Sequence, residues 1–201
     1  MKPILFNAEM VRAILDGRKT VTRRVVNHKH LRGLENLTAE KIQRACIAPV
    51  SIGDILYVRE AYSPKYFDKE IANYWNGGNR IAYKADWDAL PQDAKDLCAK
   101  PIWRPSIHMP REAARIFLRV TDVRVERLQN IDADGIRSEG LTSACVHAGD
   151  MEIATQEFAL LWDGTIKPVD RERYGWAANP WVWVIAFERC AKPKEAIDGS
   201  V

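Results

Sequence analysis

The sequence predicts an α+β fold, a mixed and largely antiparallel β-barrel flanked by a few helices, and three observations carry that expectation. Residues 115–128 alternate, with Ile116, Leu118 and Val120 on one parity and Val123, Val125 and Arg127 on the other. A parity change inside one strand is what a bulge produces, here near Thr121-Asp122, and bulges bend sheets toward closure. Trp181-Val182-Trp183-Val184-Ile185-Ala186-Phe187 is apolar at nearly every position, as in a strand covered on both sides. Thr20, Val21, Thr22, Val25 and Val26 make residues 20–26 a further extended stretch, because β-branched side chains fit a pleated surface better than a helix.

The remaining elements follow in order. Asn7 can cap a short helix over residues 8–16 with Met10, Val11 and Ile14 on one face, and Gly17 can close it in left-handed geometry. A turn at Gly53-Asp54 leads into Ile55-Leu56-Tyr57-Val58-Arg59-Glu60, an apolar run ending in a charged pair, as a buried strand does on reaching a rim. Asp132 can cap a helix to Arg137, and another near Glu152–Leu161 places Ala154, Phe158 and Leu161 together. Residues 61–114 read as an insertion, punctuated by Asn76-Gly77-Gly78-Asn79 and by Pro91, Pro101, Pro105 and Pro110.

A chain of 201 residues suits one domain, here residues 1–190, and residues 191–201 form a tail with little to bury and an expectation of disorder. No apolar run approaches the ~20 residues of a membrane helix, and the N-terminus meets Glu9 before any leader-like stretch develops. A soluble, cytoplasmic protein is expected. Cys46, Cys98, Cys145 and Cys190 lie too far apart for the short spacing of a zinc site and read as reduced thiols. His28 and His30 form a His-x-His in a basic loop, with solvation favoured over metal binding, so no metal or organic cofactor is expected.

The net charge of +3 is too small to announce a nucleic-acid partner. Its distribution says more, because residues 1–33 hold six more basic than acidic residues. Such a patch suits a phosphate-bearing partner or is an exposed charged face. Within it, Lys19 and Thr22 lie three apart at the helix-to-strand junction, where neighbouring cations can depress a lysine's pKa. A neutral lysine beside a hydroxyl can activate a weak nucleophile. In a regular strand the two would face opposite sides, so they cooperate only if Lys19 sits in the turn after Gly17; otherwise they are ordinary residues of a helix end.

The segment Ile14-Leu15-Asp16-Gly17-Arg18-Lys19-Thr20-Val21-Thr22-Arg23-Arg24 resembles the opening motif of ASCH domains, Gly-x-Lys-Thr-x-Thr with a following arginine. Gly53-Asp54-Ile55-Leu56-Tyr57-Val58-Arg59-Glu60 is similar to that family's Gly-Asp strand, and Ile131-Asp132-Ala133-Asp134-Gly135-Ile136-Arg137-Ser138-Glu139-Gly140 to its Glu-Gly segment. Phage and prophage members share Trp103-x-Pro105-Ser106-Ile107-His108-Met109-Pro110 and Asn179-Pro180-Trp181-Val182-Trp183. The resemblance implies a PUA-like barrel and association with RNA or a modified nucleoside. One branch, small bacterial enzymes, removes the acetyl group from N(4)-acetylcytidine. Its motif residues carry over to Thr22 as nucleophile, Lys19 as base and Glu139 as the carboxylate that polarises Lys19. Those enzymes are about half this length and lack the aromatic insertion.

The resemblance leaves two alternatives, a non-catalytic module binding RNA or a modified base, and a ribonuclease using Lys19. Arg24, Arg59 and Glu60 are candidates for phosphate or base contacts or for a rim ion-pair network. Ser106 and His108 line a pocket or serve structure, and Asn179 and Trp181 join the substrate-binding candidates through the closing motif. Tyr62, Tyr66, Phe67, Tyr74, Trp75, Tyr83, Trp87 and Trp103 in the insertion either stack a base or pack together. No obligate protein partner and no membrane is expected.

Overall fold

The computed structural model describes residues 1–31, 33, 37–64, 81–96, 100–141 and 150–193. In chain order the elements are β1 (Lys2–Leu5), α1 (Ala8–Leu15), β2 (Val21–Val25), α2 (His28–Leu31), α3 (Ala39–Ala45), β3 (Ile55–Arg59), β4 (Tyr62–Ser63) and β5 (Ala82–Tyr83). There follow α4 (Lys84–Ala89), α5 (Gln92–Asp96), β6 (Phe117–Arg127), α6 (Ala133–Ser138), α7 (Met151–Thr165), α8 (Arg171–Tyr174) and β7 (Trp181–Cys190). Five strands hydrogen-bond in the order β1-β3-β6-β7-β2, and β4 pairs with β5 separately. β1 runs parallel to β3, whereas β3–β6 and β2–β7 are antiparallel.

The mixed, mostly antiparallel α+β reading holds, but the expected barrel does not: among the described residues the sheet is open. Its end strands β1 and β2 each pair on one side only, β1 through Lys2–Leu5 with β3 and β2 through Val21–Val25 with β7. The parity change that suggested closure is present, since burial falls on Leu118 and Val120 and then on Val125, yet β6 runs unbroken from Phe117 to Arg127. A local bend re-aims side chains. Closure needs the two end strands to find each other, which the alternation along one strand does not specify.

Contacts divide the chain into two compact units. The first comprises Met1–Val11, Ile55–Arg119 and Arg189–Val201. Its apolar group is Tyr62, Tyr83, Met109, Ala113, Ala114 and Phe117. Tyr62 and Tyr83 are cross-strand partners, and Trp87 meets Trp103 edge-on with ring centroids 6.3 Å apart, so these four aromatics pack with protein. Tyr66, Phe67, Tyr74 and Trp75 lie outside the described residues, as do Cys98 and Cys145, the His28 side chain, and the expected tail from residue 194 onward.

The second unit comprises Arg12–Asp54 and Val120–Glu188. Ala154, Phe158 and Trp162 recur every four residues along α7 and pack with Leu128, Ile131, Ile136, Val182 and Val184. Trp162 rather than Leu161 completes the buried face of that helix. Asp150 caps α7 by accepting from the Ile153 N–H, and Asp132 caps α6 by accepting from Gly135. No helix among the described residues is long and apolar enough to cross a membrane.

Candidate functional site

The site begins with how α1 ends. Asn7 Oδ1 accepts the Met10 N–H at 2.8 Å and starts the helix. At the other end Gly17 adopts φ +75°, and the N–H groups of Arg18 and Lys19 both turn back to the Ala13 carbonyl, at 2.8 and 2.9 Å. That turn places Lys19 outside β2, in the position after Gly17 on which cooperation with Thr22 depends. The next residue breaks the strand pattern too. Thr20 donates its N–H to the Ser138 carbonyl while its own carbonyl accepts from Phe187. A regular strand residue directs both groups to one neighbour, so simple alternation does not run from Lys19 through Thr22.

The second half comes from α6. Glu139 caps its C-terminal end and forms an isolated antiparallel bridge with Lys19. Gly140 makes the crossing possible: at φ +95°, a Cβ there would lie 2.8 Å from Ala13 Cβ and 3.1 Å from Lys19 Cβ. Arg18 Nη1 donates to the Gly140 carbonyl at 2.8 Å and fastens the same crossing.

Lys19 Nζ then donates to Glu139 Oε2 at 2.5 Å and to the Glu139 carbonyl at 3.0 Å. Arg23 Nη1 donates to the other oxygen, Oε1, at 3.2 Å, and Arg23 Nη2 lies 3.6 Å from Glu126 Oε2. Lys19, Arg23 and Glu139 are all buried. Burial pushes the Lys19 pKa below the ordinary lysine value; the Glu139 carboxylate opposes that, and the charges of Arg24 and Arg23 add to it. Burial likewise lowers the Arg24 pKa, against the attraction of Glu139. Thr22 is buried in β2 opposite Ile185, and its hydroxyl takes no part in the bonds that join Lys19 to Glu139.

Of the remaining candidates, Arg24, Asn179 and Trp181 belong to the same unit as this pair. Arg24 is half-buried opposite Trp183. Asn179 adopts φ 44°, accepts the Gln129 N–H on Oδ1 at 2.9 Å, and offers its carbonyl to Arg127 Nη1 at 3.0 Å. Trp181 is buried with the Arg127 guanidinium 4.3 Å above its ring. These contacts fasten the entry of β7 to the end of β6.

Arg59, Glu60, Ser106 and His108 belong to the other unit. The Glu60 carboxylate is buried and gripped at both oxygens by Arg115, at 2.9 and 3.1 Å. Arg115 also holds both oxygens of Asp86 and stacks 3.9 Å over Tyr83. Burial pushes the Tyr83 phenol up to about 12, with Arg115 opposing, and pushes the Glu60 carboxyl up as well. This is an ion-pair network in which Glu60 is buried while Arg115 and Asp86 stay partly exposed. Arg59 donates to the Ile107 carbonyl. Ser106–His108 form one tight turn whose His108 carbonyl accepts the Tyr62 hydroxyl at 3.1 Å, leaving the imidazole exposed.

Sequence reasoning missed Arg23, Glu126 and Arg115 as site or network members. Arg23 had a signal, since it stands next to Thr22 within the quoted motif. Glu126 and Arg115 had none, because their partners are distant in sequence. Part of the basic stretch is also internally neutralised: Arg18 pairs with Asp16 at 2.8 Å, and Lys19 and Arg23 share Glu139. Among the described residues no three His, Cys, Asp or Glu side chains converge to hold a metal ion.

The class of site is a buried lysine–carboxylate pair at a helix-to-strand turn, with arginines around the carboxylate. No family model matches the chain, and no curated protein matches it. Solved structures similar to it include the following two. One is a protein of Enterococcus faecalis V583 described by the family name DUF984, at 10% identity and TM-score 0.40, covering 89% of this chain. The chain spans 65% of that protein's length. The other is an ASCH domain from Lactobacillus crispatus JV V101, at 10% identity and TM-score 0.37, covering 90% of this chain and 69% of that one.

Proposed function

We propose that this chain is an ASCH-type amidohydrolase that removes an acyl group from the exocyclic amine of a cytosine nucleoside or related modified pyrimidine. The observation that carries the reading is the burial of Lys19 against Glu139, with Nζ 2.5 Å from Oε2. A buried lysine with a lowered pKa gives up its proton more readily than an ordinary lysine, and a carboxylate at that distance fixes its direction. In the reaction the Thr22 hydroxyl attacks the acyl carbon while Lys19 takes its proton. The proton passes to the departing exocyclic amine as the carbon–nitrogen bond breaks. Water then hydrolyses the acyl-threonine ester, with Lys19 again as base.

The test is release of cytidine from N(4)-acetylcytidine and longer acyl homologues. Thr22→Ser should keep part of the activity, and Thr22→Ala should lose on the order of 10³-fold or more. Lys19→Arg should bind ligand without turnover, because a guanidinium does not deprotonate near neutral pH. Glu139→Gln should mainly reduce turnover. The defects should not multiply. One observation favours a second reading, a module that binds RNA or a modified base: the Thr22 hydroxyl takes no part in the bonds that join Lys19 to Glu139. Absence of turnover across the acyl panel selects that reading, whereas near-normal turnover by Lys19→Arg removes the base role from Lys19.

A further inference from the structure

Glu139 is shared. Its Oε2 receives Lys19 and its Oε1 receives Arg23, so the two cations hold opposite ends of one carboxylate. Arg23 is tethered from behind by Glu126, whose Oε1 accepts Arg124 Nε at 2.6 Å, and Arg124 in turn pairs with Asp122 at 2.9 Å. A ladder of alternating charge therefore runs from exposed residues of β6 to the buried pair. Along it, Arg23 Nε is buried with no hydrogen-bond partner. An orphaned buried donor is unfavourable, and an apolar residue at this position of β2 would remove it. Keeping arginine there is explained by what its other nitrogens hold.

We propose that Arg23 is the positioning residue of this site: by occupying Oε1 of Glu139 it turns Oε2 onto Lys19, and by sharing the carboxylate's charge it leaves the lysine free to give up its proton. The inference rests on the amide-hydrolysis reading and adds a residue to it. A carboxylate facing Lys19 alone would pair with the ammonium fully and hold the lysine protonated. A second cation on the same carboxylate weakens that hold in two ways, by neutralising part of the negative charge and by repelling the ammonium directly. The charged groups that bear on Lys19 are Glu139 from the end of α6 and Arg23 and Arg24 from β2, with Glu126 of β6 behind Arg23.

The experiment has two readouts on the full chain. The first is an NMR pH titration of the lysine side-chain carbons, with the Lys19 signal assigned from Lys19→Arg. In Arg23→Gln the Lys19 midpoint should move to higher pH than in the wild type, and Arg23→Lys should restore it toward wild type. If Arg23→Gln does not fold, Arg23→Met fills the same space without a buried charge and should show the same displacement. The second readout is turnover of N(4)-acetylcytidine. In Arg23→Gln kcat should fall by about 10-fold or more while KM changes by less than about threefold, and the acidic limb of the rate profile should shift to higher pH.

A Lys19 midpoint that stays in place, or moves down, in a folded Arg23 variant overturns the proposal. A loss of kcat with no displacement of the limb overturns it too, because that is what a merely structural arginine gives. If the wild type turns over no acylated cytosine the function reading falls, while the titration still decides whether Arg23 governs the pair.

Discussion

A lysine buried to 2% exposure gives up most of its hydration, and one carboxylate recovers that loss only when its geometry is good. At Lys19 the imbalance appears as a lowered pKa, and its consequence for stability has a definite sign. The folded chain binds fewer protons at Lys19 than the unfolded chain does just below the ordinary lysine value near 10.5. Stability therefore rises with pH through the window that ends there, and falls as pH drops through the folded pKa. Urea denaturation of the wild type at a series of alkaline pH values should show this rise, and Lys19→Met should remove its share of the slope. Arg115 presents the complementary case. Replacing it by Met leaves the buried Glu60 carboxylate without its two bonds, at a cost of about 3–5 kcal/mol in chemical denaturation.

Elements are where local chemistry and distant packing meet. Asn7 and Asp132 were readable as caps because a capping bond joins residues three apart, and both bonds form as expected. The end of α6 is different, because Gly140 is required by what crosses beside it. Gly140→Ala should cost about 1–3 kcal/mol, as its Cβ would press on Ala13 and Lys19 in a backbone conformation alanine rarely adopts. Turnover should drop further than stability alone explains, since the displaced atoms carry the Lys19–Glu139 bond. A melting curve and a kcat measurement on the same variant check both halves. In β6 the alternation correctly foretold the parity change but overstated what a bend achieves.

For the molecule as a whole, net charge is the property that bears on partner choice. The site's own charges are buried and matched by Glu139 and Glu126, so bulk salt screens them weakly. Turnover of a free nucleoside should change by less than about twofold between 50 and 200 mM salt. Binding of a single-stranded RNA, by contrast, loses affinity steeply over that range when several phosphates are neutralised. A steep salt dependence of nucleoside turnover would show that exposed cations of residues 1–33 take part in recognition.

Helices α1, α6 and α7, the Asn7 and Asp132 caps and the strands β2, β3, β6 and β7 could be read directly from the amino-acid order, because each rests on periodicity or on bonds between near neighbours, whereas β1, α3 and α4 were not foreseen. Lys19, Thr22 and Glu139 were named together only through the motif resemblance; no spacing joins residues 120 apart. Folding brought Lys19 and Glu139 together, added Arg23 to the same carboxylate, assigned Glu60 to Arg115, and set Asn179 and Trp181 to fastening β7. It also left the sheet open. Each of these outcomes depends on which distant groups meet in the folded chain, and a buried charge takes the partner that packing delivers to it, which no local pattern encodes.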